Sequence, residues 1–299
     1  GTLTGTGPNL VLSGVYSQLY PEEEPVSFLM WALYGMPFAS VLLLVLWLFF
    51  CAVLHRAGRG CIEQVRAALA GGNAVFREQL QALGPMSFAE RVVLAAFAAL
   101  SLLWITRAPG GNLPGWADGF SQPVGDGTCS IAVGICLFFS ERVLTWEDCR
   151  RIPWGVVLLL GGGFALSTGV VASGLSSWLG EQLRFLEALP KPLLLFLVLV
   201  IVSSCTNVCS NVATANIFIP VVSHVAEHIG ASPLSLAVPS TYACSLAMAF
   251  PISTPPNAIA FGTGLVSMKE MAFYGIAMNL AGISLTLVMW PLMGETIFG

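Results

Sequence analysis

The sequence predicts an all-α integral membrane fold with a re-entrant helical hairpin and a broken transmembrane helix. Three observations carry that prediction. Hydrophobic residues make up 56% of the 299 residues and charged residues 9%, against about 25% charged in an ordinary soluble domain. Between Lys191 and Lys269 the only charged residue is Glu227. Inside that apolar run lie two polar, helix-breaking patches, Thr206-Asn207-Val208-Cys209-Ser210-Asn211-Val212-Ala213-Thr214 and Pro251-Ile252-Ser253-Thr254-Pro255-Pro256-Asn257. A bilayer tolerates unwound backbone only where protein or a water-filled cavity covers it. Two such patches therefore predict a binding site near the membrane midplane.

The elements follow from the charge-poor runs, which fall at residues 27–54, 92–106, 127–140, 153–171, 192–225, 232–268 and 271–294. One crossing takes about 20 residues, so residues 127–140 borrow flanking positions. Residues 192–225 are too long for one upright helix and carry the first polar patch near their middle. They read as a hairpin that enters and leaves on one side. Residues 232–268 read as one span broken at 251–257, because consecutive prolines cannot continue a helix. Residues 174–190 alternate Leu175, Trp178, Leu179, Leu183 and Leu186 with Glu181, Arg184 and Glu187, a pattern suited to an interfacial helix or to a loop helix packed on the protein. Arg56, Arg59, Arg66 and Arg77 after the first span, and Arg142, Arg150 and Arg151 after the third, place both loops in the cytoplasm and the C-terminus outside.

Composition also excludes classes. The apolar segments exceed the ~10-residue alternating strands of an outer-membrane barrel. A net charge of −4 without a basic patch argues against nucleic acid. The eight cysteines are scattered, without CxxC spacing, and read as small hydrophobes. The chain begins at Gly1 without Met, signal peptide or complete first span, which leads us to expect a stretch that starts partway through a motif.

One short echo stands out. Thr6-Gly7-Pro8-Asn9-Leu10-Val11 resembles Thr254-Pro255-Pro256-Asn257-Ala258-Ile259: a Thr, a breaker, Pro-Asn, then apolar residues. Inverted-repeat transporters carry matching broken helices in their two halves.

These patches make a family recognisable. Ser210-Asn211-Val212-Ala213-Thr214 with Ile217-Phe218-Ile219-Pro220 resembles the second Ser-Asn-Thr/Val motif of the divalent anion/sodium symporter (DASS) family, the sodium-coupled dicarboxylate, citrate and sulfate carriers. Ser253-Thr254-Pro255-Pro256-Asn257-Ala258-Ile259 resembles that family's second break, and residues 1–12 its counterpart in the first half. Three further stretches fit: Gly84-Pro85-Met86-Ser87-Phe88-Ala89-Glu90-Arg91, Trp104-Ile105-Thr106-Arg107-Ala108-Pro109-Gly110 and Leu158-Leu159-Leu160-Gly161-Gly162-Gly163-Phe164-Ala165. The resemblance covers essentially the whole chain. It implies the second half of an inverted-repeat elevator transporter, assembled as a homodimer in a lipid bilayer, with the first hairpin upstream. It divides the chain into a first-half broken-helix end and outer loop (1–26), a transport-domain helix (27–55), cytoplasmic or interfacial helices (56–87), scaffold helices with an interfacial arm (88–190) and the transport-domain hairpin, broken helix and last span (191–299).

A carboxylate substrate is an anion, yet neither patch contains Arg or Lys. Helix N-termini at the breaks, with free N–H groups and a positive dipole end, can meet that charge. Sodium (Na+) supplies the rest, since unwound carbonyls suit a hard cation. By the resemblance, Ser210, Asn211, Val212, Thr254 and Pro255 contact substrate, while Thr206, Cys209, Asn211 and Ser253 hold sodium, and Gly1, Thr4 and Gly5 are the remnant of a first cation site. Three positions depart from the family: the third motif residue is Val212 rather than Thr, as in animal-type members, and two others bear on the cation and the substrate. Many members have Glu where Asn207 stands, and sulfate-carrying relatives tend to have Asn where Thr254 stands, which tilts the substrate towards carboxylates.

The function expected is therefore secondary-active, electrogenic sodium-coupled symport of di- and tricarboxylates of the succinate and citrate class across the plasma membrane. It needs no organic cofactor and no enzyme chemistry. Two other readings compete. One is an uncoupled anion exchanger or channel. The other is an intramembrane metallopeptidase built on His224-Val225-Ala226-Glu227-His228, which matches HxxEH but lacks a further acidic ligand nearby. Gly161–163 lacks the Gly-Lys-Ser/Thr of a phosphate loop and reads as close helix packing, and Asp126 reads as a helix-start cap.

Overall fold

A computed structural model describes residues 1–57, 63, 76–107, 114–121, 124–139, 143–152, 154–175, 178 and 189–298. Arg59, Arg66 and Arg142, residues 108–110, and most of the 174–190 stretch lie outside the described residues. The described chain is helical, with no strand among the described residues. Its helices are α1 (Gly7–Leu19), α2 (Phe28–Ala57), α3 (Phe88–Arg107), α4 (Asp126–Phe138), α5 (Trp154–Ala172), α6 (Lys191–Thr206), α7 (Asn211–His228), α8 (Leu234–Cys244), α9 (Pro255–Gly262), α10 (Met268–Met289) and α11 (Glu295–Phe298).

Local chemistry sets most of the boundaries. Proline stands in the first turn of α1, α6 and α9, where its missing N–H is not needed. Ser267 and Glu270 cap α10 reciprocally: Ser267 Oγ accepts the Glu270 N–H at 3.3 Å, and a Glu270 carboxylate oxygen accepts the Ser267 N–H at 2.9 Å.

Contacts divide the chain into two compact units, Gly1–Leu42 with Pro153–Gly299, and Leu43–Ile152. In the second unit α3 packs on α4. Arg107 pairs with the Asp126 carboxylate at 2.6 Å and also donates to the Val124 carbonyl at 3.0 Å. Trp104 Nε1 donates to the Asp126 carbonyl at 3.0 Å, so Asp126 joins the two helices as well as opening α4.

In the first unit α7 lies between α1, α5 and α8, while α6 packs on α8 and α10. Val11, Leu12, Val15, Leu199, Val202, Ala215 and Ile219 are fully enclosed there. Trp31 on α2 stacks on Tyr242 of α8 with ring centroids 5.1 Å apart, and Phe38 closes on the same tyrosine at 4.6 Å.

Three helices among the described residues are long and apolar enough to cross a membrane: Phe28–Arg56, Phe88–Arg107 and Met268–Phe298. Leu43, Leu44, Trp47 and Leu48 are each more than half exposed, as lipid-facing side chains would be. Among the described residues the polar patches divide two of the charge-poor runs into shorter helices. The first gives α6 and α7, joined through residues 207–210. The second gives α8 and α9, but here the unwound stretch covers residues 245–254, starting well before Pro251.

Candidate functional site

The early unwinding after α8 has a physical cause. Each peptide group freed from the helix needs a partner in a buried setting, and side chains from neighbouring elements supply them. Thr206 Oγ1 lies 2.7 Å from the Cys244 carbonyl, and Ser203 Oγ donates to the Leu246 carbonyl at 3.0 Å. Asn207 Oδ1 accepts the Ala249 N–H at 2.9 Å, and Asn279 Oδ1 accepts the Met248 N–H at 3.3 Å. Asn257 Nδ2 donates to the carbonyls of Ala247 and Phe250 at 2.8 and 3.0 Å. Ser253 Oγ donates to the Asn207 carbonyl, tying the end of the break to the hairpin turn.

The residues that stop the unwinding face a common space. Thr6, Ser210 and Thr254 are the N-caps of α1, α7 and α9, and all three hold extended backbone. No N-cap side chain bonds to its own helix. The first N–H groups of a helix have no partner within it, so these ends remain available to a ligand. A cavity of about 420 Å³ is lined by all three N-caps and by the residues that follow them: Gly7 and Pro8, Asn211 and Val212, and Pro255. Val208, Cys209, Ile252 and Ser253 complete the wall. That volume falls within the ~300–1,000 Å³ of small-molecule sites. At Gly7 the α1 helix comes so close to α7 that a Cβ would collide with the Val212 side chain.

Among the described residues, no charged side chain lines the cavity. Its electrostatics come from three helix N-termini, each carrying roughly half a positive charge. The ends differ in chemistry. Pro255 and Pro256 have no N–H, so α9 offers the Thr254 hydroxyl, the Asn257 N–H one residue further in, and its dipole. The α7 end retains the N–H groups of Asn211, Val212 and Ala213, and its first internal bond runs from the Thr214 N–H to the Ser210 carbonyl at 2.9 Å. A carboxylate is best met at α7.

Thr206 lies beneath this wall, completely buried. Its Oγ1 is 2.8 Å from Asn211 Oδ1 as well as 2.7 Å from the Cys244 carbonyl, and one hydroxyl proton cannot serve both acceptors. Reversing the Asn211 amide satisfies every group: Nδ2 donates to Thr206, Thr206 donates to the Cys244 carbonyl, and Oδ1 turns to the cavity.

Of the residues expected to contact substrate, Ser210, Asn211, Val212, Thr254 and Pro255 share this one cavity. Of those expected to hold sodium, Cys209, Asn211 and Ser253 line it too, and Thr206 stands behind Asn211. Gly1, Thr4 and Gly5 do not line it; Gly1 rests against α2, where an added Cβ would meet Met36 and Gly35. Sequence reasoning did not include Thr6, Gly7 and Pro8 in the site, although the Thr6–Pro8 echo of Thr254–Pro256 was the available signal. His224 Nδ1 lies 2.9 Å from a Glu227 carboxylate oxygen, one helical turn along, while His228 is exposed.

Over residues 1–298 the sequence matches the family described as sodium:sulfate symporter transmembrane region. It is 37% identical over 324 residues to the Na(+)/dicarboxylate cotransporter 3 of Mus musculus, covering 99% of this chain and 54% of that protein. To the sodium-dependent dicarboxylate transporter SdcS of Staphylococcus saprophyticus it is 36% identical over 291 residues, 95% of this chain and 54% of the relative. The Homo sapiens Na(+)/dicarboxylate cotransporter 3 is 36% identical over 324 residues. The chain spans about half the length of the curated relatives it matches.

Proposed function

This chain belongs to the sodium:sulfate symporter transmembrane-region family, and from that premise we propose that it provides the second-half binding elements of a secondary-active, sodium-coupled symporter of di- and tricarboxylates. The observation that supports this reading is the convergence of three helix N-termini on a cavity without a charged side chain. The three relatives above are by name transporters and not peptidases, and all three are sodium-dependent or sodium/dicarboxylate carriers.

The chemistry proceeds from charge balance. An anion with two or three carboxylates enters a site that offers only partial positive charge. Peptide dipoles at α1, α7 and α9 orient it, and the hydroxyls of Ser210 and Thr254 with the Asn211 amide supply directional bonds. Sodium ions carried with it neutralise what the dipoles leave. Oxygen ligands for them come from Asn211 Oδ1, from Ser253 Oγ, and from the carbonyls of Thr206 and Cys209. A site whose anion is held partly by cations favours entry of both together, which is the thermodynamic basis of symport. Sodium in excess of the anion's charge makes transport electrogenic, each net charge gaining ~2.3 kcal/mol per 100 mV.

The same proposal includes an inverted-repeat elevator architecture and a homodimer. Residues 27–55 and 191–299 move as the transport domain against the scaffold of 88–190, in the plasma membrane with the C-terminus outside. Uptake of labelled succinate and citrate into vesicles, with and without an inward sodium gradient, tests the coupling. Uptake that follows the gradient supports symport. Equal uptake in both conditions, with reversal potentials set by the anion alone, assigns the protein to the uncoupled class.

A further inference from the structure

Beyond the cavity, the final long helix touches the unwound stretch at consecutive turns of one face. At Gly275 an added Cβ would collide with the backbone of Met248 and Ala249, so α10 lies directly on the break. One turn later Asn279, which is buried, accepts the Met248 N–H through Oδ1 and donates through Nδ2 to Asn207 Oδ1 at 3.3 Å. Gly282 then makes room for the Leu246 side chain. Asn207 uses its whole amide here. Oδ1 accepts from Ala249 and Asn279, and Nδ2 donates to the carbonyls of Ser203 at 2.6 Å and Leu246 at 3.3 Å. Its own carbonyl takes the Ser253 hydroxyl, next to Thr254 in the cavity wall.

The geometry points to Asn279 as a positioning residue for the binding site: through Asn207 and the Met248–Ala249 backbone it fixes the hairpin turn against the Ser253–Thr254 wall. Asn279 contacts no part of the cavity itself. Its effect travels along buried groups that all need partners, so a lost bond leaves an unsatisfied N–H or oxygen in the break and is not silently absorbed. The α10 helix, the break and the hairpin turn then behave as one piece. The inference rests on the proposed sodium-coupled function for its readout, since the wall it holds includes the oxygens assigned to the ion.

Cys209 is exposed in the cavity and reports on that wall. In the intact carrier, with other accessible cysteines replaced by serine, maleimide labelling of Cys209 is followed as sodium is titrated against choline. Asn279→Ala should raise the sodium concentration for half-protection about fivefold, the factor set by one net hydrogen bond, while labelling without sodium stays near the parent rate. Asn207→Ala should do the same, and the double variant should be no worse than the more severe single one, because both act through one network. Gly275→Ala leaves every amide in place and should shift the midpoint by displacing the backbone alone, which covers the case in which Asn279→Ala fails to fold. An unchanged midpoint in the foldable variants, additive single effects, or a slower maximal uptake at unaltered sodium dependence would overturn the inference. Absence of sodium protection in the parent removes the symport reading and this inference together, whereas protection in the parent with unshifted variants removes this inference alone.

Discussion

Thr6 and Thr254 stand in one backbone conformation at the start of two helices that share a cavity, with φ −146° and ψ 154° for the first and φ −147° and ψ 153° for the second. The likeness extends behind them. Asn9 Nδ2 donates to the Thr2 carbonyl seven residues back at 3.0 Å, and Asn257 Nδ2 donates to the Phe250 carbonyl seven residues back at 3.0 Å. The Gly5 and Ser253 N–H groups close on those same two carbonyls. Each Pro-Asn pair therefore builds the same turn: proline starts the helix, and asparagine ties the preceding unwound chain to it. The repeated construction supports the two-half architecture proposed above.

Equal geometry does not mean equal chemistry, and substitution should separate the two threonines. Thr254 precedes two prolines, so its hydroxyl is the nearest donor at that helix end. Thr6 Oγ1 already lies 3.5 Å from Ser245 Oγ, and Gly7 keeps the N–H that its counterpart Pro255 lacks. Thr254→Val should raise the KM for succinate by about tenfold or more, the scale of a hydrogen bond to a charged group. Thr6→Val should have a smaller effect. Initial uptake rates over a range of succinate concentrations decide it, and the reverse order would move the anion from the α9 side of the cavity to the α1 side.

Asn211 opens α7 and is bonded to Thr206 from below, so its loss affects both ligand and wall. Asn211→Ala should reduce uptake by roughly one to two orders of magnitude, as expected for removing charge-assisted contacts, with surface density near normal by biotin labelling. Thr206→Val tests the amide orientation separately. With the hydroxyl gone, the Asn211 amide loses its anchor, and the sodium requirement should rise more than the succinate KM. Persistent transport by Asn211→Ala would make that side chain structural and displace the site.

Much of this arrangement is legible in the sequence because the signals are local. Charge-free runs mark the apolar helices, and Ser210-Asn211 and Thr254-Pro255-Pro256 mark where helices start. Residues 246–250 are different. Leu246-Ala247-Met248-Ala249-Phe250 contains no breaker and would continue a helix in isolation, yet it is unwound. Its backbone is held by Asn207, Asn257, Asn279 and Ser203, residues that lie close only after folding. For the same reason Asn207 looks from the sequence like the loss of an acid, whereas in the fold its neutral amide fills two donor and two acceptor roles. Asn279 carries a signal that was available, since a buried asparagine in an apolar membrane helix seeks a partner on another helix.

The cavity's field gives a last test that needs no substrate. Three helix N-termini without a charged side chain should make the space at Cys209 electropositive, although the protein as a whole carries −4. A small anionic methanethiosulfonate should therefore gain on a cationic one at Cys209, relative to their rates with a simple thiol in solution. A shift of about threefold or more in that ratio is expected, modest because dipole effects fade within a turn and are screened by salt. Succinate and sodium added together should slow both reagents by occupying the cavity, and Cys244, fully buried behind the wall, should react with neither. If the cationic reagent gains instead, the three N-termini do not set the local potential, and the site must draw its affinity for anions from elsewhere.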